Sequence, residues 1–513
     1  MLRPSAIYLC VFLVAICGLV YELICGAVAS YLLGSSITQY SLIIGIFLSA
    51  MGVGSYLSKF VGDGYAKTLI QLQVLLGLVG GFAAQLLFFL FGVHGDIAAI
   101  LYGVTAFIGA IVGAEIPLLI RLLPKNKSLD QTIAQVFAWD YCGAFVASVS
   151  FPFVIMPFFG LVRAGIAFGM FNILVALLLY LRLRKSHQLT RRLPAGIALA
   201  AAVLVAALFG GQKATTFLED QLYPDSIVLK EVSPYQNIVV TRWQDDTRLF
   251  LNGQLQFSSV DEHRYHESLI LPALALHQEL HPNRPPNILI LGGGDGLAAR
   301  HILKHTEVEK ITIVDLDKTL TRLFREHAFL KQLNAASLTH PKVEVVNSDA
   351  FHYLRTSPFQ RFDLIFADLP DPSTKSLPKL YSTAFYRMAF ERLTAKGSFV
   401  TQATSPFYAR ETFWCIESTL ATASLGIHHK NWQVTPYHAH VPSFGDWGFV
   451  WIGPPFAVSQ LQPSSGEFLS AEVFAGLFQF PPDVQRPDQI EVNTLGHPVV
   501  AQYHDKGWHQ YNQ

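Results

Sequence analysis

Charge is what this chain has least of. Only 14% of its 513 residues are Asp, Glu, Lys or Arg, and 37 of each sign cancel. No basic patch or stripe stands out, so the phosphate-neutralising footprint of a nucleic-acid-binding protein is missing. Cysteine is scarce too. Of five, Cys10, Cys17, Cys25 and Cys142 fall in apolar segments and Cys415 stands alone. That distribution excludes a disulfide framework and offers no metal-ligand spacing, so cysteine is read as a packing residue and no metal is expected. The room left by charge goes to apolar side chains: 51% of residues are hydrophobic and the mean hydropathy is +0.35, a composition that leans towards a membrane protein.

The apolar content lies mostly in residues 1–211. Runs of spanning length occur near Ala6–Leu33, Thr38–Phe60, Thr68–Gly92, Ile97–Leu122, Ile133–Phe159, Leu161–Leu183 and Leu193–Gly211, which predicts a transmembrane all-α bundle of about seven spans. The first run is too long, and too closely followed by others, for a cleavable signal peptide. Recurring glycines, among them Gly77, Gly81, Gly109 and Gly113, suit close helix packing in lipid. Three carboxylates, Glu22, Glu115 and Asp140, fall within or beside the spans. Such groups either pair between helices or mark ion and substrate paths.

Basic residues gather in alternate connections: Lys59 and Lys67; Arg121, Lys125 and Lys127; then Arg182, Arg184, Lys185, Arg191 and Arg192. The positive-inside rule places these loops and the N-terminus in the cytoplasm of a multi-pass protein of the cell (inner) membrane. An odd number of spans then carries the rest of the chain outside, and one fewer keeps it inside. Pro152 and Pro157 make the fifth run a candidate re-entrant hairpin. Residues 1–211 hold 12 Lys/Arg against 6 Asp/Glu, leaving 25 against 31 in the remainder, and an acidic soluble part suits a cationic ligand.

Beyond Gly211 the composition is that of a soluble protein. A linker and a small β-hairpin domain are expected over 212–270, with strands at Asn237–Arg242 and Thr247–Asn252. From 271 to 455 strands and helices alternate, with strand candidates Ile288–Leu291, Ile311–Val314, Val343–Val346, Leu364–Ala367 and Ser398–Thr401. This predicts an α/β doubly wound, Rossmann-like domain. Residues 456–513 read as a loop-like, proline-rich tail.

The soluble part is organised around Asn287–Arg300, where the apolar run Ile288–Leu291 meets Gly292, Gly293, Gly294, Asp295 and Gly296 before a helix starts. Glycines at this turn let backbone approach a nucleotide. The spacing is not G-x-G-x-x-G, however, and Asp295 would repel a pyrophosphate and attract a cation. A nucleoside carrying positive charge, such as a sulfonium, fits better. Every strand of the sheet ends in a polar residue, on the edge where such folds bind ligands. Asp315 follows Asp295 by about twenty residues, the spacing of a ribose-binding carboxylate. Asp349 is placed to bond an adenine amino group; Asp368 follows the fourth strand and Gln402 the fifth. Helix capping accounts for any one of these carboxylates singly, but not for the set.

Those residues, with Asp261-Glu262, Tyr265-His266-Glu267, Asp371-Pro372 and Leu380-Tyr381-Ser382-Thr383-Ala384-Phe385-Tyr386, resemble the spermidine synthase (polyamine aminopropyltransferase) family over roughly Ser233–Gly453. The whole chain resembles the membrane-anchored branch of that family, a helical bundle joined to a small β domain and a methyltransferase-type Rossmann-like domain. The resemblance implies transfer of the aminopropyl group of decarboxylated S-adenosylmethionine to putrescine or a related polyamine, with release of methylthioadenosine. The donor is a co-substrate, and no cofactor is implied. By the same resemblance Asp368 is the catalytic acid, supported by Tyr265. Gln236, Gln256 and His266 line the donor site with Asp295, Asp315 and Asp349, while Asp371 and Gln402 lie at the acceptor.

Two departures stand on the acceptor side. Gln402 is followed by Ala403-Thr404-Ser405 where the soluble enzymes carry an acidic residue, and Phe444 replaces an acceptor-contacting tyrosine. Two other readings compete: an ordinary S-adenosylmethionine-dependent methyltransferase, which Asp295 disfavours, and a non-enzymatic membrane carrier or sensor of polyamines. The expected partners are the donor, a polyamine and the lipid membrane, with no nucleic acid. The synthase domain is expected in the cytosol, and the sequence leaves a homo-oligomer open.

Overall fold

Long apolar helices account for the first half of the chain, and alternating strands and helices for the second. The computed structural model describes residues 4–33, 36–94, 97–123, 128–184, 189, 192–220, 223, 225–374, 376–425 and 432–509. Lys125, Lys127, Lys185 and Arg191, used above to orient the chain, lie outside the described residues. Two compact units result, Met1–Pro224 and Asp225–Gln513.

The first unit contains α1 (Pro4–Leu33), α2 (Ser36–Leu57), α3 (Tyr65–His94), α4 (Ala98–Leu122), α5 (Leu129–Ser150), α6 (Met156–Leu183) and α7 (Leu193–Asp220). Among the described residues five helical stretches are long and apolar enough to cross a membrane, the last being the 54 residues Asp130–Leu183. A shorter apolar stretch covers Leu193–Phe209. Inside the 54-residue stretch a π-turn over Phe151–Ile155 absorbs Pro152, as such turns do when a backbone donor is missing. The break comes at Gly160, with φ 66° and ψ 178°. The prolines thus do not fold the fifth apolar run back on itself. In α3 and α6, Gly77 faces Gly169 and Gly81 faces Gly165, two small-xxx-small pairs that bring the backbones together.

The second unit begins with a four-stranded antiparallel sheet in the order β1 (Ser226–Val232), β2 (Asn237–Trp243), β3 (Asp246–Leu251) and β4 (Gln254–Ser258). Helix α8 (Glu262–Leu280) follows. A seven-stranded sheet comes next: β5 (Asn287–Gly292), β6 (Lys310–Asp315), β7 (Val343–Asn347), β8 (Phe362–Asp368), β9 (Leu393–Gln402), β10 (Gln433–Val441) and β11 (Gly445–Gly453). Its spatial order is β10-β11-β9-β8-β5-β6-β7. β5 to β9 are parallel, and β10 and β11 add an antiparallel edge. Ile288, Leu289, Ile290 and Leu291 are all completely buried, as a strand covered on both faces requires. Each such side chain contributes about 1.5–3 kcal/mol on burial.

Strand order reverses at β5, which lies between β6 and β8. A doubly wound sheet opens its ligand crevice at that reversal, beyond the carboxyl ends of the strands. Helix α9 (Leu297–His305) starts there. The tail is more structured than its proline content suggests. It holds helices Ala471–Gly476 and Val499–His509, and Phe474, Val499 and Val500 are buried in the two cores of this unit.

Candidate active site

The turn after β5 is shaped by what glycine allows. Gly292 has φ +88°, and a Cβ there would sit 1.9 Å from the carbonyl oxygen of Asp368, its register partner on β8. A Cβ on Gly294 would lie 2.5 Å from the Asp315 carboxyl carbon. Only glycine permits the ends of β5, β6 and β8 to converge this closely. Asp315 accepts from the backbone N–H of Gly294 (3.1 Å) and of Asp317 (2.8 Å). The Oδ1 of Asp295 accepts from Leu297 N–H at 2.9 Å, fixing the start of α9.

Helix α8 supplies the facing wall. Tyr265 donates its phenol hydrogen to Oδ1 of Asp368 at 2.7 Å. His266 places Nδ1 2.6 Å from Glu262 Oε2, four residues earlier on the same helix face. Arg300 of α9 pairs with Glu262 Oε1, and His301 Nε2 lies 3.4 Å from Glu262 Oε2. Glu262, His266 and His301 bring metal-ligating atoms within 4.8 Å of one another, but Arg300 already neutralises the carboxylate. A second such group is Glu267, His301 and His305.

These contacts set the ionisation. Burial pushes the Asp315 carboxyl up to about 6, against the two N–H groups that favour its charged form. Burial, then the negative charge of Asp368, raises Asp295, while His266 opposes the shift. Burial and the Asp368 carboxylate hold the Tyr265 phenol well above its ordinary value. For His266 burial acts downward, yet the Glu262 carboxylate outweighs it and leaves the imidazole raised. Burial would raise Glu262, but the bonds from His266, His301 and Arg300 bring it well below the usual carboxylate range. The carboxylates of Asp295, Asp315 and Asp368 give the crevice a negative lining, with the glycine turn on one side and the Tyr265 phenol on the other.

Comparison with known proteins agrees with this chemistry. The family model described as "Spermine/spermidine synthase domain" matches residues 262–453. A polyamine aminopropyltransferase of Leptospira interrogans is 43% identical over 509 residues, covering 99% of both chains. Polyamine aminopropyltransferase 2 of Ralstonia nicotianae is 43% identical over 98% of each chain. The chain belongs to the polyamine aminopropyltransferase family. A solved spermidine synthase in complex with the transition-state analogue AdoDATO aligns with 50% of this chain and 86% of its own, at 24% identity and a TM-score of 0.44.

The sequence-predicted residues divide around this crevice. Asp368, Tyr265, His266, Asp295 and Asp315 share the crevice through the contacts above. Gln236 reaches it by way of Asp317, to which its amide donates at 2.9 Å. The Gln256 amide bonds the carbonyl of Gln254 on its own strand (3.2 Å). Asp349 does two other jobs: it caps the helix Ala350–Thr356 by accepting from His352 N–H (3.1 Å), and it pairs with Lys379 at 2.6 Å. Burial acts to raise its carboxyl, and the Lys379 ammonium brings it down.

At the other end of the crevice Asp371 is held from three directions. Gln402 donates to Oδ1 (3.2 Å), Thr404 donates to Oδ2 (3.0 Å), and His504 Nε2 lies 3.3 Å from Oδ2. Nε2 of Gln402 also lies 2.7 Å from the Leu369 carbonyl and 2.6 Å from the Tyr381 hydroxyl, so its two hydrogens are shared among three acceptors, and its Oε1 accepts from Thr404 N–H (2.9 Å). It is a fully engaged brace for the loop after β8. Phe444 packs edge-on against Tyr265, 6.2 Å between ring centroids. Asp317 and His504 escaped the sequence reading, which names Thr404 only as a departure on the acceptor side. Asp317 had a signal, a carboxylate two residues past a strand end; His504, in the tail, had none.

Proposed function

We propose that this chain transfers the aminopropyl group of decarboxylated S-adenosylmethionine to putrescine or a related amine and releases methylthioadenosine. The observation that carries the reading is the Tyr265–Asp368 bond at the mouth of a glycine turn that contains Asp295. Asp295 pairs with the primary ammonium left when the donor loses its carboxylate, and repels the carboxylate of intact S-adenosylmethionine. Asp315 takes the ribose hydroxyls. Asp349 serves the adenine, and Gln236, Gln256 and His266 border the donor.

The acceptor amine arrives protonated and is no nucleophile in that form. Asp368 takes its proton, and Tyr265 holds the carboxylate in the orientation that leaves one oxygen for the amine. The nitrogen lone pair then attacks the carbon beside the sulfonium. As the carbon–nitrogen bond forms, the carbon–sulfur bond breaks, and its electron pair stays on sulfur as a neutral thioether. Positioning is the larger part of the rate in such a displacement. Asp371, braced by Gln402, holds the far ammonium of the acceptor.

The first unit anchors the enzyme in a lipid membrane, with the second unit on the cytosolic side where a charged nucleoside donor is made. The shorter apolar stretch Leu193–Phe209 is read as the one that does not cross. Six complete crossings ahead of it keep the N-terminus and the second unit on one side. Incubation of the purified full chain with decarboxylated donor and a panel of diamines tests the reaction. Methylthioadenosine is expected only when an amine is present. A methylated amine with S-adenosylmethionine as donor would favour the methyltransferase reading, and binding without turnover would favour the sensor.

A further inference from the structure

We propose that Glu267 of α8, with His301 and His305 of α9, binds one divalent metal ion of the zinc type. The ligating atoms of the three side chains lie within 4.8 Å of one another. His301 and His305 stand four residues apart on one helix, the spacing that sets two imidazoles on one face, and their ring centroids are 6.5 Å apart. Each ring has one nitrogen engaged and one free. His301 places Nε2 2.8 Å from Arg300 Nη2 and 3.4 Å from Glu262 Oε2, whereas its Nδ1 is buried without a partner. His305 places Nδ1 3.4 Å from Ser464 Oγ, and its Nε2 is likewise buried and unpartnered. Glu267 is completely buried. The backbone N–H of Glu467 bonds its Oε1, and those of Phe468 and Leu469 bond its Oε2. Three of a carboxylate's roughly four lone-pair positions are thus taken, and one remains on Oε1.

Two imidazoles and one carboxylate are a zinc donor set, with the fourth position left to water. Imidazole suits copper, nickel and iron as well, whereas calcium and magnesium want oxygen throughout. Zinc with ligands at about 2.0–2.1 Å holds them roughly 3.3 Å apart, so the three atoms need to close by at most about 1.5 Å. Arg300 and Lys304, the cations beside the two histidines in sequence, already pair with Glu262 and Glu467. Coordination through Nδ1 puts the ring hydrogen of His301 on Nε2, where Glu262 Oε2 receives it. Arg300 then keeps Glu262 Oε1 and the Leu333 carbonyl. A carboxylate behind a ligating imidazole is the usual outer partner in such a site. The cysteines show no metal spacing because these ligands are histidine and glutamate, brought together from two helices. The competing state is a hydrogen bond from His301 Nδ1 to Glu267, which leaves His305 Nε2 without a partner.

The test uses the full chain, purified in detergent through a tag that contains no histidine, and does not depend on the aminopropyl reading. The protein is stripped with a chelator and titrated with cobalt(II) alone. One tightly held cobalt per chain is expected, with the visible bands of a four- or five-coordinate ion, and zinc should displace it. His305→Gln should weaken binding by about 100-fold or more, beyond the cost of losing an outer partner. His305→Cys should restore it and add a thiolate-to-cobalt charge-transfer band. No tight cobalt in the unaltered chain, equal affinity in His305→Gln, or no such band in His305→Cys overturns the proposal. If neither variant folds, X-ray absorption of the unaltered chain loaded with one zinc decides. Two imidazole nitrogens in the zinc shell uphold the site, and fewer overturn it.

Discussion

The phenol of Tyr265 donates to Oδ1 of Asp368 across 2.7 Å, tying helix α8 to the end of β8, 103 residues further along the chain. The bond occupies one carboxylate oxygen and leaves the other for a substrate. Asp368→Asn is expected to cut kcat by at least about 100-fold, the lower range for loss of a general base, while donor affinity changes little. Tyr265→Phe should cost roughly tenfold in kcat through lost orientation. Steady-state kinetics with calorimetric donor titrations measure both, and near-normal turnover of Asp368→Asn would remove it from the mechanism.

Selectivity for the decarboxylated donor should depend on Asp295. Its replacement by Asn removes a charge-assisted contact to the donor ammonium, about 1.5–3 kcal/mol, so affinity should fall about tenfold or more. S-adenosylmethionine, which brings its own carboxylate, should lose much less. Equal losses for both ligands would leave Asp295 with only its cap of α9.

A pH dependence follows from the same carboxylates. Asp315 is pushed up to about 6, and Asp295 is raised as well. Below that pH each must shed a proton before it can hold its part of the donor, Asp295 the ammonium and Asp315 the ribose hydroxyls. Donor affinity should be flat above pH 7 and fall as pH drops through about 6, tenfold per unit for each proton displaced. Calorimetry between pH 7.5 and 5 reads the slope. Asp315→Asn should flatten it, and an unchanged slope in that variant would assign the titration elsewhere.

Asp371→Asn should act on the other substrate. The amine KM is expected to rise about tenfold, the loss of one charge-assisted contact, with the donor KM unmoved. A rise in the donor KM instead would show that Asp371 supports the loop after β8 rather than the acceptor.

The sidedness of the second unit is open to a reporter that is active only outside the cytoplasm. Fused after Gln513, it should be silent. An active fusion would place the unit outside and require another source for its nucleoside donor.

What could be read from the sequence is what local pattern encodes. Ile288–Leu291 is a buried strand because four consecutive apolar residues meet a glycine turn, and the polar residue closing each parallel strand marks the ligand edge of the sheet. The contacts that finish the site leave no such pattern. Asp371 and His504 are 133 residues apart, and nothing in the sequence around His504 distinguishes it from the other histidines. The tail conceals two helices because prolines surround them. The prolines of the fifth apolar run mislead for the opposite reason: a π-turn absorbs Pro152, and the break comes at Gly160, the residue that separates the fifth run from the sixth.

Glu267, completely buried in α8, accepts from the backbone N–H groups of Glu467 (2.7 Å), Phe468 (2.9 Å) and Leu469 (2.9 Å). During synthesis that carboxylate leaves the ribosome some two hundred residues before its partners. Helix α8, which carries Tyr265, therefore cannot bury its charge at acceptable cost while the chain is still being made. The bundle has left the ribosome by then, whereas the catalytic wall must wait for its last strap. A nascent chain of this protein has made its helical unit long before its second unit can close.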